Sequence, residues 1–384
     1  MRESAETATV LDVAIDCTSL LEANRTGVGR MVNAVVRAVD ATADVSLTAF
    51  AVSVRGRHRL ASLVPPGVAT VDPPIPARLA HRVWQRWSRP RIDRLVGRPD
   101  VVHGPNFVVP PADAATVVTV HDLTTVRFPE LCHPSTRGFP DQVQRAIDGG
   151  AWVHAVSHAV AEEIRDHFHV EADRVRAIPN GFDPAPPGDA ARGRALAGVD
   201  DFVLAVGTVE PRKGLPLLVD AVGRLAADGR RMPVVHVGPD GWGVDAFDAA
   251  VGALPPLASV RRVGARSSED LADLYAAARL VAYPSRYEGF GLPVLEAQAA
   301  GTPVVASADP AIVEVAGGAA VIVDGRDADD WAAALAATWD DDAGRAERRA
   351  AGRANAARYD WATTATGLVD LYRTAAADRD HRYR

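Results

Sequence analysis

The chain has 384 residues, 48% of them apolar, a length that favours two domains over one. Its net charge of −7 argues against a general nucleic-acid binder. Its two cysteines, Cys17 and Cys132, form neither a disulfide framework nor a metal cluster, and they fit a reducing compartment. In chain order, strand-length apolar runs near 10–16, 45–54, 100–103, 115–120, 152–156 and 175–178 alternate with helical patterns near 29–40, 78–96, 137–149 and 158–168. A Pro- and Gly-rich segment, 181–193, reads as a linker. The alternation then resumes. Strands are expected near 202–207, 233–237, 259–263, 279–283, 303–306 and 320–323, and helices near 214–227, 269–278, 293–300, 328–338 and 343–357. The pattern predicts an α/β protein with a Rossmann-like parallel sheet in 1–180 and another in 194–358, facing a central cleft. A last helix near 361–376 is expected to pack back on the first domain. The N-terminus lacks the apolar run of a signal peptide, and no stretch reaches the roughly 18 apolar residues of a membrane span, so the chain reads as cytoplasmic.

The most informative stretch is YEGFGLPVLEAQAAGTPVV, 287–305. Pro293 suits a helix start, Gly301 a helix stop, and Pro303 blocks continuation. Glu288 then lies in the loop and Glu296 on the first turn. Gly289 and Gly291 let backbone approach a ligand. The N–H groups near Leu292 to Val294 lack helical partners, and a helix N-terminus favours an anion. An anion cradle flanked by two carboxylates, which accept hydrogen bonds from hydroxyls, fits a nucleotide sugar.

A second element is FVLAVGTVEPRKGLPLLVDAV, 202–222. Among 42 basic residues the chain has a single lysine, Lys213, and it follows Arg212 just ahead of a helix. Cations there oppose the helix dipole, a cost that vanishes if an anion sits between them. Arg supplies a planar fork and Lys a point charge, which suits a diphosphate. A solvated, proline-led helix start is the plainer reading of the same residues.

The pair VGTVEPRKG and YEGFGLPVLE resembles the second half of the retaining glycosyltransferases of family 4, which have the GT-B fold and use nucleotide sugars. The resemblance extends through IPNG (178–181), VGARSSEDLADLYAAA (263–278) and AGTPVVAS (300–307). In the first half it takes in TGVGR (26–30), HGPNF (103–107), HDLTTVRFPEL (121–131) and VSHAVAEEI (156–164). It implies that Arg212 and Lys213, with Gly207, hold the donor diphosphate, and that Glu296 takes the ribose hydroxyls. Glu288 would face the transferred sugar, beside backbone of Gly289, Phe290, Gly291, Leu292, Pro293 and Val294. Gly264, Ala265 and Arg266 would border the base, His121 would reach the donor sugar, and Gly27 and Gly29 would let a helix start approach the diphosphate or acceptor. It further implies retention of anomeric configuration, no metal and no cofactor. The donor leans to GDP-mannose, with UDP-sugars second. The acceptor is open among a glycan, a lipid-linked glycan and a small natural product.

Other readings fit parts of the same sequence. Two carboxylates also suggest a glycosidase pair, which leaves Arg212 and Lys213 unexplained. GFGLPV and GVGRMV both lack the last glycine of a dinucleotide fingerprint, and there is no P-loop. A GT-B-like phosphorylase using pyridoxal phosphate would need a Schiff-base lysine, and the only one is committed to the Arg-Lys pair. A non-catalytic nucleotide-sugar or solute binder is the rival outside enzymes. A lone histidine such as His121 is more often structural than functional; its place at a strand end, with the family match, favours function. Asp122 reads as a loop or cap residue, Glu210 as an anchor of its own loop, and Asn180 with Gly181 as a turn at the hinge. The Asp-x-Asp pairs at Asp327/Asp329 and Asp378/Asp380 read as helix caps or tail, with no metal. Residues 77–98 carry seven arginines and one acid. They read as a helix packed on the sheet through Leu79, Val83 and Trp87, with weak peripheral contact to the membrane inner face as the second reading.

Overall fold

The computed structural model describes residues 10–21, 27–54, 56, 58–87, 89–132 and 136–382. It forms two compact units: residues 1–181 with 360–384, and residues 182–359.

The first unit comprises β1 (Leu11–Asp16), α1 (Gly27–Asp40), β2 (Val45–Phe50), β3 (Ala69–Val71), α2 (Ala77–Arg86), α3 (Asp93–Val96), β4 (Val101–Gly104), β5 (Ala115–Val120), α4 (Thr124–Arg127), α5 (Phe139–Asp148), β6 (Trp152–Ala155), α6 (His158–His167) and β7 (Val175–Ala177). Its seven strands run in the order β3-β2-β1-β4-β5-β6-β7, and every pairing is parallel. β4, β5 and β6 are apolar runs buried along nearly their whole length, as strands covered on both faces must be. On one face Met31, Val32, Val35, Val36 and Val39 of α1 pack with Leu368, Leu371, Tyr372 and Ala375 of the last helix. The strand order reverses between β1 and β4.

The second unit comprises α7 (Ala190–Ala197), β8 (Val203–Val206), α8 (Leu215–Ala227), β9 (Val234–Val237), α9 (Val244–Gly252), β10 (Val260–Arg262), α10 (Ser268–Ala277), β11 (Leu280–Tyr283), α11 (Leu292–Ala300), β12 (Val304–Ser307), α12 (Pro310–Ala316), β13 (Ala320–Val323), α13 (Ala328–Asp340) and α14 (Asp342–Ala356). The six strands are again all parallel, in the order β10-β9-β8-β11-β12-β13. Leu218, Val222, Phe247, Trp331 and Leu335 of α8, α9 and α13 fill one face of the sheet; Leu274, Tyr275, Val294, Ala297 and Ile312 of α10, α11 and α12 fill the other. Here the order reverses between β8 and β11. The chain then returns to the first unit as α15 (Trp361–Arg382).

A buried polar chain ties α15 to the first sheet. His154 Nε2 lies 2.9 Å from the carbonyl of Ile178, so that nitrogen carries the proton. Its Nδ1 therefore accepts from Thr119 Oγ1 at 2.9 Å. Thr119 Oγ1 in turn accepts from His103 Nε2 at 2.8 Å, which leaves His103 Nδ1 to accept from the Tyr372 hydroxyl at 2.7 Å. Each donor has one acceptor in a single direction, which requires both imidazoles to be neutral. Burial enforces this: it lowers His103 well below the usual histidine range and His154 to about 4.

The structure departs from the sequence reading in several places. The stretch expected as one helix over 78–96 is two, α2 and α3, because Pro90 removes a donor and restricts the residue before it. Its apolar face also differs: Ala80 is buried and Trp84 packs on the core around Phe50 and Ile92, while Leu79 is 55% and Trp87 60% exposed. Residues 182–193, read as linker, belong to the second unit, and α7 starts inside them. Asp189 caps that helix by accepting from the N–H groups of Ala191 and Arg192. A Cβ on Gly193 would stand 2.0 Å from the Asp273 carbonyl oxygen, and one on Gly188 2.1 Å from that of Ala272. These glycines allow backbone contact with α10 rather than flexibility. β3, α9 and α12, outside the expected elements, are all short.

Candidate functional site

In the second unit, the site begins with two loops pressed together at the reversal of strand order. β8 leads into Gly207, and a Cβ on Gly238, after β9, would meet the Gly207 carbonyl oxygen at 1.9 Å. A short turn, Pro211–Lys213, follows and ends at Gly214, in the left-handed region with φ 64°. A Cβ there would lie 2.2 Å from the Pro284 carbonyl oxygen, just after β11, so only glycine admits this approach. The backbone N–H of Arg286 donates to the Arg212 carbonyl at 2.7 Å. This contact of loops brings residues 76 positions apart in sequence together.

Glu288 receives both cations. Arg212 Nη1 donates to Glu288 Oε2 at 2.6 Å and to the Tyr287 carbonyl at 3.0 Å, while Arg212 Nη2 reaches Glu210 Oε2 at 3.4 Å. Lys213 Nζ donates to Glu288 Oε1 at 2.6 Å and to the Tyr283 hydroxyl at 3.1 Å, and that hydroxyl donates to Glu288 Oε1 at 2.9 Å. Glu288 is 8% exposed. Burial alone would raise its pKa; Arg212 and Lys213 outweigh that and hold it at about 2. Burial lowers Lys213 from the usual lysine value and Arg212 adds to this, against the pull of Glu288. Burial and Glu288 push the Tyr283 hydroxyl well above the usual tyrosine value. The anion that Arg212 and Lys213 were expected to need ahead of α8 is thus supplied, in the protein itself, by Glu288.

α11 starts at Leu292 after Gly291 in the left-handed region, with Pro293 in its first turn, and stops at Gly301, also left-handed. Glu296 lies just past the first turn, half-buried, and Tyr275 of α10 donates to its Oε2 at 2.8 Å. Gly264, Ala265 and Arg266 form an exposed loop at the carboxyl end of β10, and the Gly264 carbonyl accepts from Gly238 N at 3.1 Å. Arg212, Lys213 and Glu288 therefore form one cluster, with Gly207, the start of α11 and the 264–266 loop along the same carboxyl edge. Tyr283 and Tyr275, which orient the two glutamates, escaped sequence reasoning. The only signal was a tyrosine closing an apolar strand or helix face.

Gly27, Gly29 and His121 belong to the first unit. Gly27 and Gly29 open α1, and a Cβ on Gly29 would come 3.4 Å from the Ser19 carbonyl oxygen. Thr26 lies outside the described residues. His121 follows β5 and donates from Nε2 to the Pro105 carbonyl at 2.8 Å. Burial lowers its pKa, opposed by that bond and by Asp122, so the ring is neutral and Nδ1 is an acceptor. Asp122 accepts from Thr124 N at 2.8 Å in the loop before α4, and Asp327 caps α13 by accepting from the N–H groups of Asp329 and Asp330. Among the described residues no group of three or more His, Cys, Asp or Glu side chains is placed to hold a metal ion.

Comparison with known proteins decides the family. A model of "Glycosyltransferase Family 4" matches residues 25–186, and one of "Glycosyl transferases group 1" matches 191–358. The chain belongs to the glycosyltransferases of family 4. It is 33% identical over 306 residues to the O-antigen chain mannosyltransferase B of Escherichia coli, covering 77% of this chain and 78% of that one. It is 32% identical over 294 residues to a D-inositol 3-phosphate glycosyltransferase of Kineococcus radiotolerans, covering 70% and 68%. Among solved structures, a sucrose-phosphate synthase from Thermosynechococcus elongatus superposes with TM-score 0.74 at 20% identity, over 96% of this chain and all of that one. Anabaena HepE in complex with UDP and glucose superposes with TM-score 0.66 at 18% identity, over 94% and 98%. These likenesses establish the GT-B fold for this glycosyltransferase.

Proposed function

We infer that this glycosyltransferase moves a hexosyl group from a nucleoside-diphosphate sugar to an acceptor hydroxyl, with retention and without a metal ion. The observation that carries this reading is the pair Arg212 and Lys213 on a buried Glu288 at the strand reversal of the second unit. Ligands of open parallel sheets bind at such a reversal, outside the carboxyl ends of the strands. A diphosphate arriving there brings negative charge to two cations already held in place, with the α11 N-terminus beside them. Their charge stabilises the diphosphate as the bond from the sugar C1 to phosphate oxygen breaks. The new bond from the acceptor oxygen forms on the same face, and the acceptor proton passes to the departing phosphate. Glu288 orients Arg212 and Lys213 and faces the sugar, Glu296 takes the ribose diol, and neutral His121 accepts from a sugar hydroxyl.

GDP-mannose is the leading donor, supported by the relative named as a mannosyltransferase; UDP-sugars stand second, supported by the HepE structure with UDP. The acceptor falls among glycans, lipid-linked glycans and small molecules. Exposed Leu79 and Trp87 support a peripheral lipid contact beside the packing of α2 through Ala80 and Trp84. No helix among the described residues is long and apolar enough to cross a membrane.

Thermal shift with GDP, UDP and ADP, followed by turnover of the matching sugar nucleotide with and without EDTA and NMR of the product anomer, tests each part. Failure of all three nucleotides to stabilise the protein removes the reading. Loss of turnover in EDTA removes metal independence, an inverted product removes retention, and a glycosyl adduct trapped on Glu288 removes same-face attack.

A further inference from the structure

The end of β4 and the loop after it, HGPNF, are held at every residue but one. His103 is fixed between Tyr372 and Thr119. A Cβ on Gly104 would sit 1.9 Å from the Val108 carbonyl oxygen, so the loop doubles back on itself where only glycine fits. The Pro105 carbonyl accepts from His121. Phe107 adopts φ 59°, a left-handed conformation that a bulky residue rarely takes, and its N–H donates to the Thr119 carbonyl at 2.9 Å. Its ring stacks on Phe139 at 4.8 Å and meets His121 edge-on at 5.5 Å. The exception is the side chain of Asn106: half-buried, it has no hydrogen-bond partner among the described residues.

Position gives this amide a meaning. The loop stands at the carboxyl end of β4, where the strand order of the first unit reverses between β1 and β4. That is the place in this sheet where a ligand is expected. The corresponding reversal in the second unit is taken by the nucleotide, on the function proposed above, which leaves this one for the acceptor. An amide offers two donors and an acceptor, which match neighbouring hydroxyls of a pyranose ring. We propose that Asn106, set by the strained and immobilised loop, is a specificity residue that binds ring hydroxyls of a glycoside acceptor on the first unit.

The inference rests on the glycosyltransfer reading, and the experiment separates the two. The full chain, saturated with whichever of GDP or UDP stabilises it, is titrated with the methyl α-glycosides of mannose, glucose and galactose by saturation-transfer NMR. At least one should bind. Asn106→Ala, and Asn106→Asp, which keeps the shape and an acceptor but loses both donors, should weaken it about tenfold, one good hydrogen bond. The nucleotide thermal shift should stay as in the wild type, which shows that both variants fold. In turnover, acceptor KM should rise while donor KM stays. Unchanged glycoside affinity, a change in donor KM instead, or no glycoside binding by a wild type that still binds nucleotide overturns the assignment of Asn106 and leaves the glycosyltransfer reading standing. A wild type that binds no nucleotide overturns both.

Discussion

The two units share one topology and fill the same topological position with opposite chemistry. At the reversal in the second unit, two basic side chains and a carboxylate are buried together as ion pairs. In the first unit, β4, the end of β5 and β6 carry imidazoles that burial keeps neutral, hydrogen-bonded to hydroxyls and carbonyls. Burial acts on both. Its outcome differs because Glu288 has two opposite charges within 2.6 Å, whereas His103 and His154 have only neutral partners. An ionised site suits a leaving diphosphate. The imidazole chain has both ring nitrogens of His103 and His154 engaged, and it holds α15 to the sheet instead of meeting a ligand.

The comparison can be broken at several points. The largest effect is expected at the ionised site. Arg212→Ala should lower kcat by about a hundred- to a thousandfold, the usual loss when a donor aimed at developing negative charge is removed. Circular dichroism should show the fold intact; a change in KM alone would mean that Arg212 only binds. The second test is pH. A histidine with a lowered folded pKa binds fewer protons folded than unfolded, so its stability contribution is complete above the unfolded value of about 6.5 and is lost as pH falls toward the folded value. For His154 that window runs down to about 4, a loss of up to about 3 kcal/mol in the first unit. The contribution of Glu288 is complete above its unfolded value of about 4.5 and is lost as pH falls from there to about 2, below the range tested. Hydrogen exchange between pH 6.5 and 4.5 should therefore loosen α15 and β4 to β6 while β8, β11 and α11 stay protected. Equal loosening of both units would refute the contrast. Third, Tyr372→Phe leaves His103 Nδ1 as a buried acceptor without a donor and should cost about 1–3 kcal/mol in urea unfolding. The smallest effect is expected at Trp87→Ser, which should leave stability within about 0.5 kcal/mol and reduce cosedimentation with vesicles containing phosphatidylglycerol.

Much of this was legible in the sequence for stated physical reasons. Strands buried on both faces read as apolar runs, so twelve of the thirteen strands among the described residues could be placed without the structure; β3 is a short edge strand with no buried residue and leaves no apolar run. Asp189 before α7 and Asp309 before α12 are ordinary capping signals. The first was masked because the glycines and prolines around it were read as a linker.

The sequence by itself determined the two parallel sheets, the return of the last helix to the first unit and the family, and it singled out the residues proposed for the donor side. A single lysine beside Arg212, and a glutamate in a glycine loop, carry that information within short windows. Tertiary structure decided which of those residues meet. Glu288 became the counter-ion of Arg212 and Lys213 only because Gly214 lets its loop touch Pro284, a contact 70 positions away that no local pattern encodes. The neutral state of His103 and His154 was likewise decided by burial and by Tyr372, which arrives from the far end of the chain. Charge state depends on surroundings, and surroundings are assembled by contacts between distant segments.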